Sequence, residues 1–81
     1  MSQPRITMYT QTGCPDVARA SYALRQHGLT WDEIDITEDD DARKQVVEWT
    51  GREVTPTLWI GDMMLVEPDA EEIDAAFAQA G

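Results

Sequence analysis

Cysteine and histidine are nearly absent from this chain, and each shortage removes a class of chemistry. One cysteine, Cys14, in 81 residues excludes an internal disulfide framework and a cysteine-rich zinc site. The single histidine, His27, adds little toward any other metal centre. Long apolar runs are missing too. No stretch approaches the ~20 apolar residues of a membrane span, and the opening residues Met1 to Arg5 lack the apolar core of a leader. The expectation is a soluble, cytoplasmic protein. Basic residues are scarce, six against sixteen carboxylates, for a net charge of −10. That sign opposes phosphate binding and speaks against nucleic acid as a partner. The deficit is lopsided: three arginines face one carboxylate through residue 30, and three basic residues face fifteen carboxylates beyond it. Such acid serves solubility first and electrostatic choice of protein partners second.

What remains is enough for one small domain, residues 1–81, with no room for a second core. Arg5 to Thr10 is β-branched and aromatic, reads as a strand and closes on Gly13. Pro15 suits the first position of a helix, and Val17, Ala20 and Leu24 recur along it at helical spacing. Gly28 marks its end, with His27 in the last turn as a surface residue, three turns from Cys14 and too far to act as its base. Trp31 to Ile36 alternates as a second strand. Thr37 and Asp40 have the spacing of a capping box, which places the acidic run Glu38 to Asp41 at a helix N-terminus. Ala42, Val46 and Trp49 form the buried stripe of that helix, and Gly51 ends it.

Val54 to Ile60 and Met63 to Val66 flank Gly61-Asp62, the signal of a two-residue β-hairpin. Pro56, just ahead of a strand, belongs at an edge, a first position or a tight turn. Asp69 then caps a last helix with Glu72 as its partner, and Ile73, Ala76, Phe77 and Ala80 share one apolar face. The three tryptophans, Trp31, Trp49 and Trp59, read as packing residues, as do Met63 and Met64. Strand, helix, strand, helix, hairpin, helix implies one parallel pair, one antiparallel pair, and a four-stranded mixed sheet with helices on both faces.

One turn carries chemistry. Thr12-Gly13-Cys14-Pro15-Asp16-Val17 sets the thiol at a strand-to-helix junction, where unpaired backbone N–H groups and the helix dipole favour a thiolate. Asp16, two residues on, works against that, and Arg19 on the same helix face offsets it.

Tyr9-Thr10, Cys14-Pro15, Arg19-Ala20, Gly51-Arg52, Thr55-Pro56 and the Gly61 hairpin together resemble the glutaredoxin branch of the thioredoxin superfamily over nearly the whole chain. The resemblance implies a thioredoxin-like α/β fold, with Cys14 as the attacking thiol and Pro56 in cis. It also sets the backbone of Thr55 beside the thiol to pair with an extended substrate. The implied thiol-binding set is Gln11, Gly13, Pro15, Arg52, Thr55, Pro56 and Asp69. Arg52 would hold a carboxylate of the small thiol through a forked pair.

Several residues depart from the family pattern. Val17 stands where C-x-x-C has its second cysteine, so an intramolecular dithiol cycle is excluded and any catalysis is monothiol. Gln11 replaces a lysine, Asp16 an aromatic, and Val66-Glu67 the Gly-Gly that approaches glutathione. Leu65 to Glu72, with Pro56-Thr57, is closer to the mycoredoxins, which also carry C-x-x-C. The implied function is reduction of mixed disulfides between proteins and a small thiol. Mycothiol or a related thiol is the implied co-substrate ahead of glutathione, with no tightly bound cofactor or metal and a monomeric protein. Two other readings stay open: a redox-inactive thioredoxin-fold interaction module, and an iron–sulfur carrier of the C-G-F-S type, from which Pro15-Asp16-Val17 departs.

Overall fold

A computed structural model describes the backbone of residues 3–80 and the side chains of residues 3–78. The elements are β1 (Ile6–Thr10), α1 (Pro15–Gln26), β2 (Asp32–Asp35), α2 (Asp40–Thr50), β3 (Thr57–Ile60), β4 (Met63–Val66) and α3 (Ala70–Ala80). Strand order in the sheet is β2-β1-β3-β4. β1 runs parallel to β2 and antiparallel to β3, and the hairpin adds β4 antiparallel to β3. This is the expected four-stranded mixed sheet with three helices.

Alternation along the two central strands separates two cores. Ile6 and Met8 of β1 and Leu58 and Ile60 of β3 are buried against Ala20, Ala23 and Leu24 of α1 and Ile73 and Ala76 of α3. Phe77 packs half-buried at the edge of that cluster. Ala80, the last residue assigned to the α3 stripe, has its side chain outside the described set. The opposite face is smaller: Ile36, Ala42, Val46 and Val54 are buried there, with Tyr9, Ile34 and Trp49 packed over them. Tyr9, Trp49 and Trp59 form an edge-to-face chain, each pair of ring centroids 5.3 Å apart. Burial, with Asp39 nearby, raises the Tyr9 phenol above its ordinary value. Trp59 is thus a packing residue, although its Nε1 is buried without a hydrogen-bond partner. Trp31 packs on the first core, with the Arg25 guanidinium 5.8 Å from its ring centre.

The start of α2 differs from the sequence expectation. Thr37 does not form a capping box with Asp40; the N-cap is Asp39, whose Oδ1 accepts from the Ala42 N–H at 3.0 Å. Thr37 is used elsewhere. Its N–H donates to Asp35 Oδ1 at 2.8 Å in a tight turn that delays the helix by two residues. At α3 the expected box is present in both directions: the Glu72 N–H donates to Asp69 Oδ1 (2.8 Å), and the Asp69 N–H to Glu72 Oε1 (3.2 Å). His27 is a surface residue at the end of α1, paired with Asp74 of α3 and stacked beside Phe77.

Candidate active site

β1 delivers the chain to one end of the sheet, and a tight turn feeds it into α1. Gly13 has φ +81°, a left-handed conformation that a side chain would resist. The Cys14 N–H then donates to the Gln11 carbonyl at 3.1 Å, and the Val17 N–H returns to the Cys14 carbonyl at 3.2 Å as the first turn of helix. Cys14 is the N-cap, extended at φ −84° and ψ 114°, and Pro15 follows as the first helical residue. The thiol makes no capping bond. It is half-buried and turns toward the Thr55 carbonyl, with Sγ 3.7 Å from that oxygen.

Sequence reasoning missed the group that holds this turn from below. Asp35, at the end of β2, accepts a 2.7 Å bond from the Thr12 hydroxyl and the turn bond from the Thr37 N–H. The Thr37 hydroxyl in turn accepts from the Thr12 N–H at 3.3 Å. These bonds, Thr12 first and Thr37 next, hold the Asp35 carboxyl below the usual aspartate range. The Asp-x-Thr spacing signals a local turn, but nothing in it reveals that Thr12 lies alongside.

The other wall is the turn before β3. The Thr55–Pro56 peptide bond is cis, as the resemblance implied. The antiparallel ladder begins only at Thr57, so the N–H and C=O of Thr55 lie outside it, the C=O beside the thiol. The buried Thr57 hydroxyl donates to the Val54 carbonyl at 2.9 Å, and the Pro56 carbonyl accepts from the Glu67 N–H at 2.9 Å. Gln11 links the two walls, its Oε1 accepting from the Thr55 hydroxyl at 3.5 Å.

Charged groups surround this core. Asp16, two residues after Cys14, is paired with Arg19 on the next turn of α1. Arg52 is 70% exposed and sits 3.7 Å from the carboxylate of Glu67 rather than free. Glu67 has φ +48°, unusual for a residue with a side chain, at a cost of about 1–2 kcal/mol. The family resemblance marked Val66-Glu67 as standing in place of Gly-Gly, but not the contact of Glu67 with Arg52. Asp69 spends one oxygen on its helix cap and lines a cleft of about 610 Å³ with Asp16, Arg19, Tyr22, Glu67 and Pro68. The structure therefore gathers Gln11, Gly13, Pro15, Thr55 and Pro56 at Cys14, while Arg52 faces Glu67 and Asp69 lines the cleft beside α1. Among the described residues no group of three His, Cys, Asp or Glu is disposed to hold a metal ion.

A thiol at a helix N-terminus facing the residue before a cis-proline, at the end of this mixed sheet, is the arrangement of a thioredoxin-like fold. The glutaredoxin family profile matches residues 6–65, and the chain belongs to that family. Among solved structures it is similar to a glutaredoxin from Brucella melitensis, at 28% identity with a TM-score of 0.74 over 98% of this chain and 84% of that one. It is also similar to a glutaredoxin from Archaeoglobus fulgidus, at 20% identity with a TM-score of 0.78 over 91% and 86% of the two chains. A buckwheat glutaredoxin in complex with glutathione is similar at 16% identity, with a TM-score of 0.72 over 95% of this chain and 71% of that one. No curated protein sequence matches the chain. Family and fold support a thiol–disulfide oxidoreductase with protein substrates and a small-thiol partner. Among the described residues no helix is long and apolar enough to cross a membrane.

Proposed function

We propose that this protein reduces mixed disulfides between proteins and a low-molecular-weight thiol by a monothiol route through Cys14. The observation that carries the reading is the half-buried Sγ, 3.7 Å from the Thr55 carbonyl, with Val17 where a resolving cysteine would stand. In the first step the Cys14 thiolate attacks the small-thiol sulfur of a protein–S–S–R substrate. The Cys14–S–S–R bond forms as the S–S bond of the substrate breaks, and the protein thiolate leaves and takes up a proton. A second small-thiol thiolate then attacks the sulfur of R. It releases R–S–S–R and restores Cys14, so one free small thiol is consumed and the other half of R–S–S–R comes from the substrate.

Each remaining residue has a role in that cycle. Gly13 and Pro15 shape the turn that presents Sγ, and Gln11 ties it to the cis-proline side. The N–H and C=O of Thr55 pair with the extended backbone around the substrate's cysteine as a short added strand, beside Pro56. Arg52 and Asp69 act on the small thiol, which we take to be mycothiol or a related thiol rather than glutathione. Val66-Glu67 in place of Gly-Gly supports that choice, because the Glu67 side chain occupies space that a glycine would leave open. The protein works as a cytoplasmic monomer in this reading.

Turnover of a small-thiol mixed disulfide, followed with mycothiol, glutathione and other thiols, tests the proposal. The native protein is expected to turn over and Cys14→Ser to fall to the uncatalysed rate. Absence of turnover with every thiol would overturn the enzyme reading in favour of a redox-inactive module.

A further inference from the structure

We infer that Glu67 is a specificity-determining residue: its carboxylate occupies Arg52 and so disfavours small thiols that carry a carboxylate, relative to neutral ones. The inference rests on the mixed-disulfide reading above and names the class of thiol its site accepts. Three observations bring Glu67 to this place. Its N–H donates to the Pro56 carbonyl at 2.9 Å, which fixes its backbone against the residue that follows Thr55. A φ of +48° turns the chain there, and the side chain reaches the Arg52 guanidinium at 3.7 Å. Glu67 also lines the cleft that runs past Asp16 and Asp69 beside α1.

The charges around this position decide which ligand suits it. Arg52 is the cation on this wall, and Glu67 is its partner. Arg19, the cation lining the cleft, is taken by Asp16. An incoming carboxylate finds both guanidiniums already paired and competes with Glu67 for Arg52 while approaching Asp16 and Asp69. A neutral thiol meets none of those penalties. Specificity of this kind comes from an unfavourable element against the competitor as much as from contacts to the chosen ligand.

The test compares reagents that differ only in charge. Alkylation of Cys14 by iodoacetate and by iodoacetamide gives a ratio of rates that needs no turnover. Glu67→Gln should raise the iodoacetate-to-iodoacetamide ratio about two- to fivefold, the range of an exposed ion pair. Glu67→Gly should raise it similarly. Adding Arg52→Gln should remove most of that gain, because no guanidinium is then released. A ratio unchanged by both Glu67 substitutions would overturn the inference, as would a gain that survives Arg52→Gln in full. Failure of Cys14 to react with either reagent would overturn it as well. In a second arm, mixed-disulfide turnover is followed with N-acetylcysteine and its amide. Glu67→Gln should lower KM for the acid more than for the amide. If the native protein turns over neither thiol, the mixed-disulfide reading fails while the alkylation ratio still judges Glu67.

Discussion

The two walls of the site are held in different ways. On the thiol side, the backbone bonds that shape the turn from Gln11 to Val17 are short in sequence, and Thr12 seats it on the end of β2 through Asp35 and Thr37, 23 and 25 residues away. On the cis-proline side the contacts are mostly distant. Glu67 bonds Pro56 and faces Arg52, and Thr55 meets Sγ across 41 residues. The thiol side presents a nucleophile from a helix end, which is rigid once the helix forms. The cis-proline side presents backbone and charge, and it is where this chain departs from its family in ways that bear on the ligand. In the proposed function, reactivity belongs to one wall and selectivity to the other.

Substitutions can break each wall separately. The largest effect belongs to Cys14→Ser, which should abolish mixed-disulfide turnover while leaving the far-UV circular dichroism spectrum and the melting temperature close to native. Thr57→Val attacks the other wall. It removes the buried hydroxyl that donates to the Val54 carbonyl, and stability should fall by about 1–3 kcal/mol in urea unfolding. If the walls are independent, iodoacetamide should still alkylate Cys14 in that variant at a near-native rate. Glu67→Gly should act in the opposite sense. Relief of the left-handed backbone should raise stability by roughly 1 kcal/mol, read as an upward shift in the urea midpoint.

The smallest effect concerns the anchor beneath the thiol. Asp35 has its carboxyl held below its unfolded value of 3.8 by the Thr12 hydroxyl and the Thr37 N–H. A group whose folded value is depressed contributes stability above its unfolded value and loses it as pH falls through the folded one. The amide resonances of Thr12 and Cys14 should therefore shift together below pH 3.8 in an acid titration. In Asp35→Asn that shared step should be absent, since no carboxylate remains to protonate.

Much of this was legible in the chain because it is local. Pro15 with Gly28 bounded α1, Asp69 with Glu72 capped α3, and Gly61-Asp62 joined the hairpin; each depends on groups within a few residues of one another. The Thr37 capping box failed for an informative reason. Thr37 satisfies the rule for a cap, but Thr12 in the turn after β1 and Asp35 at the end of β2 offer it partners, and Asp39 is left to cap the helix. Arg52 likewise reads as a free cation in sequence and meets Glu67 only in the fold.

By itself the sequence determined the order of elements and left Cys14 as the sole thiol. Caps, turns and hydrophobic period act over one to four residues, and residue type alone decides them. Tertiary structure decided what surrounds that thiol: the Thr55 carbonyl against Sγ, Asp35 beneath Thr12, and Glu67 across from Arg52. A strand's period says which face a side chain takes but not which element it will meet. Those pairings therefore existed only once β1 lay between β2 and β3.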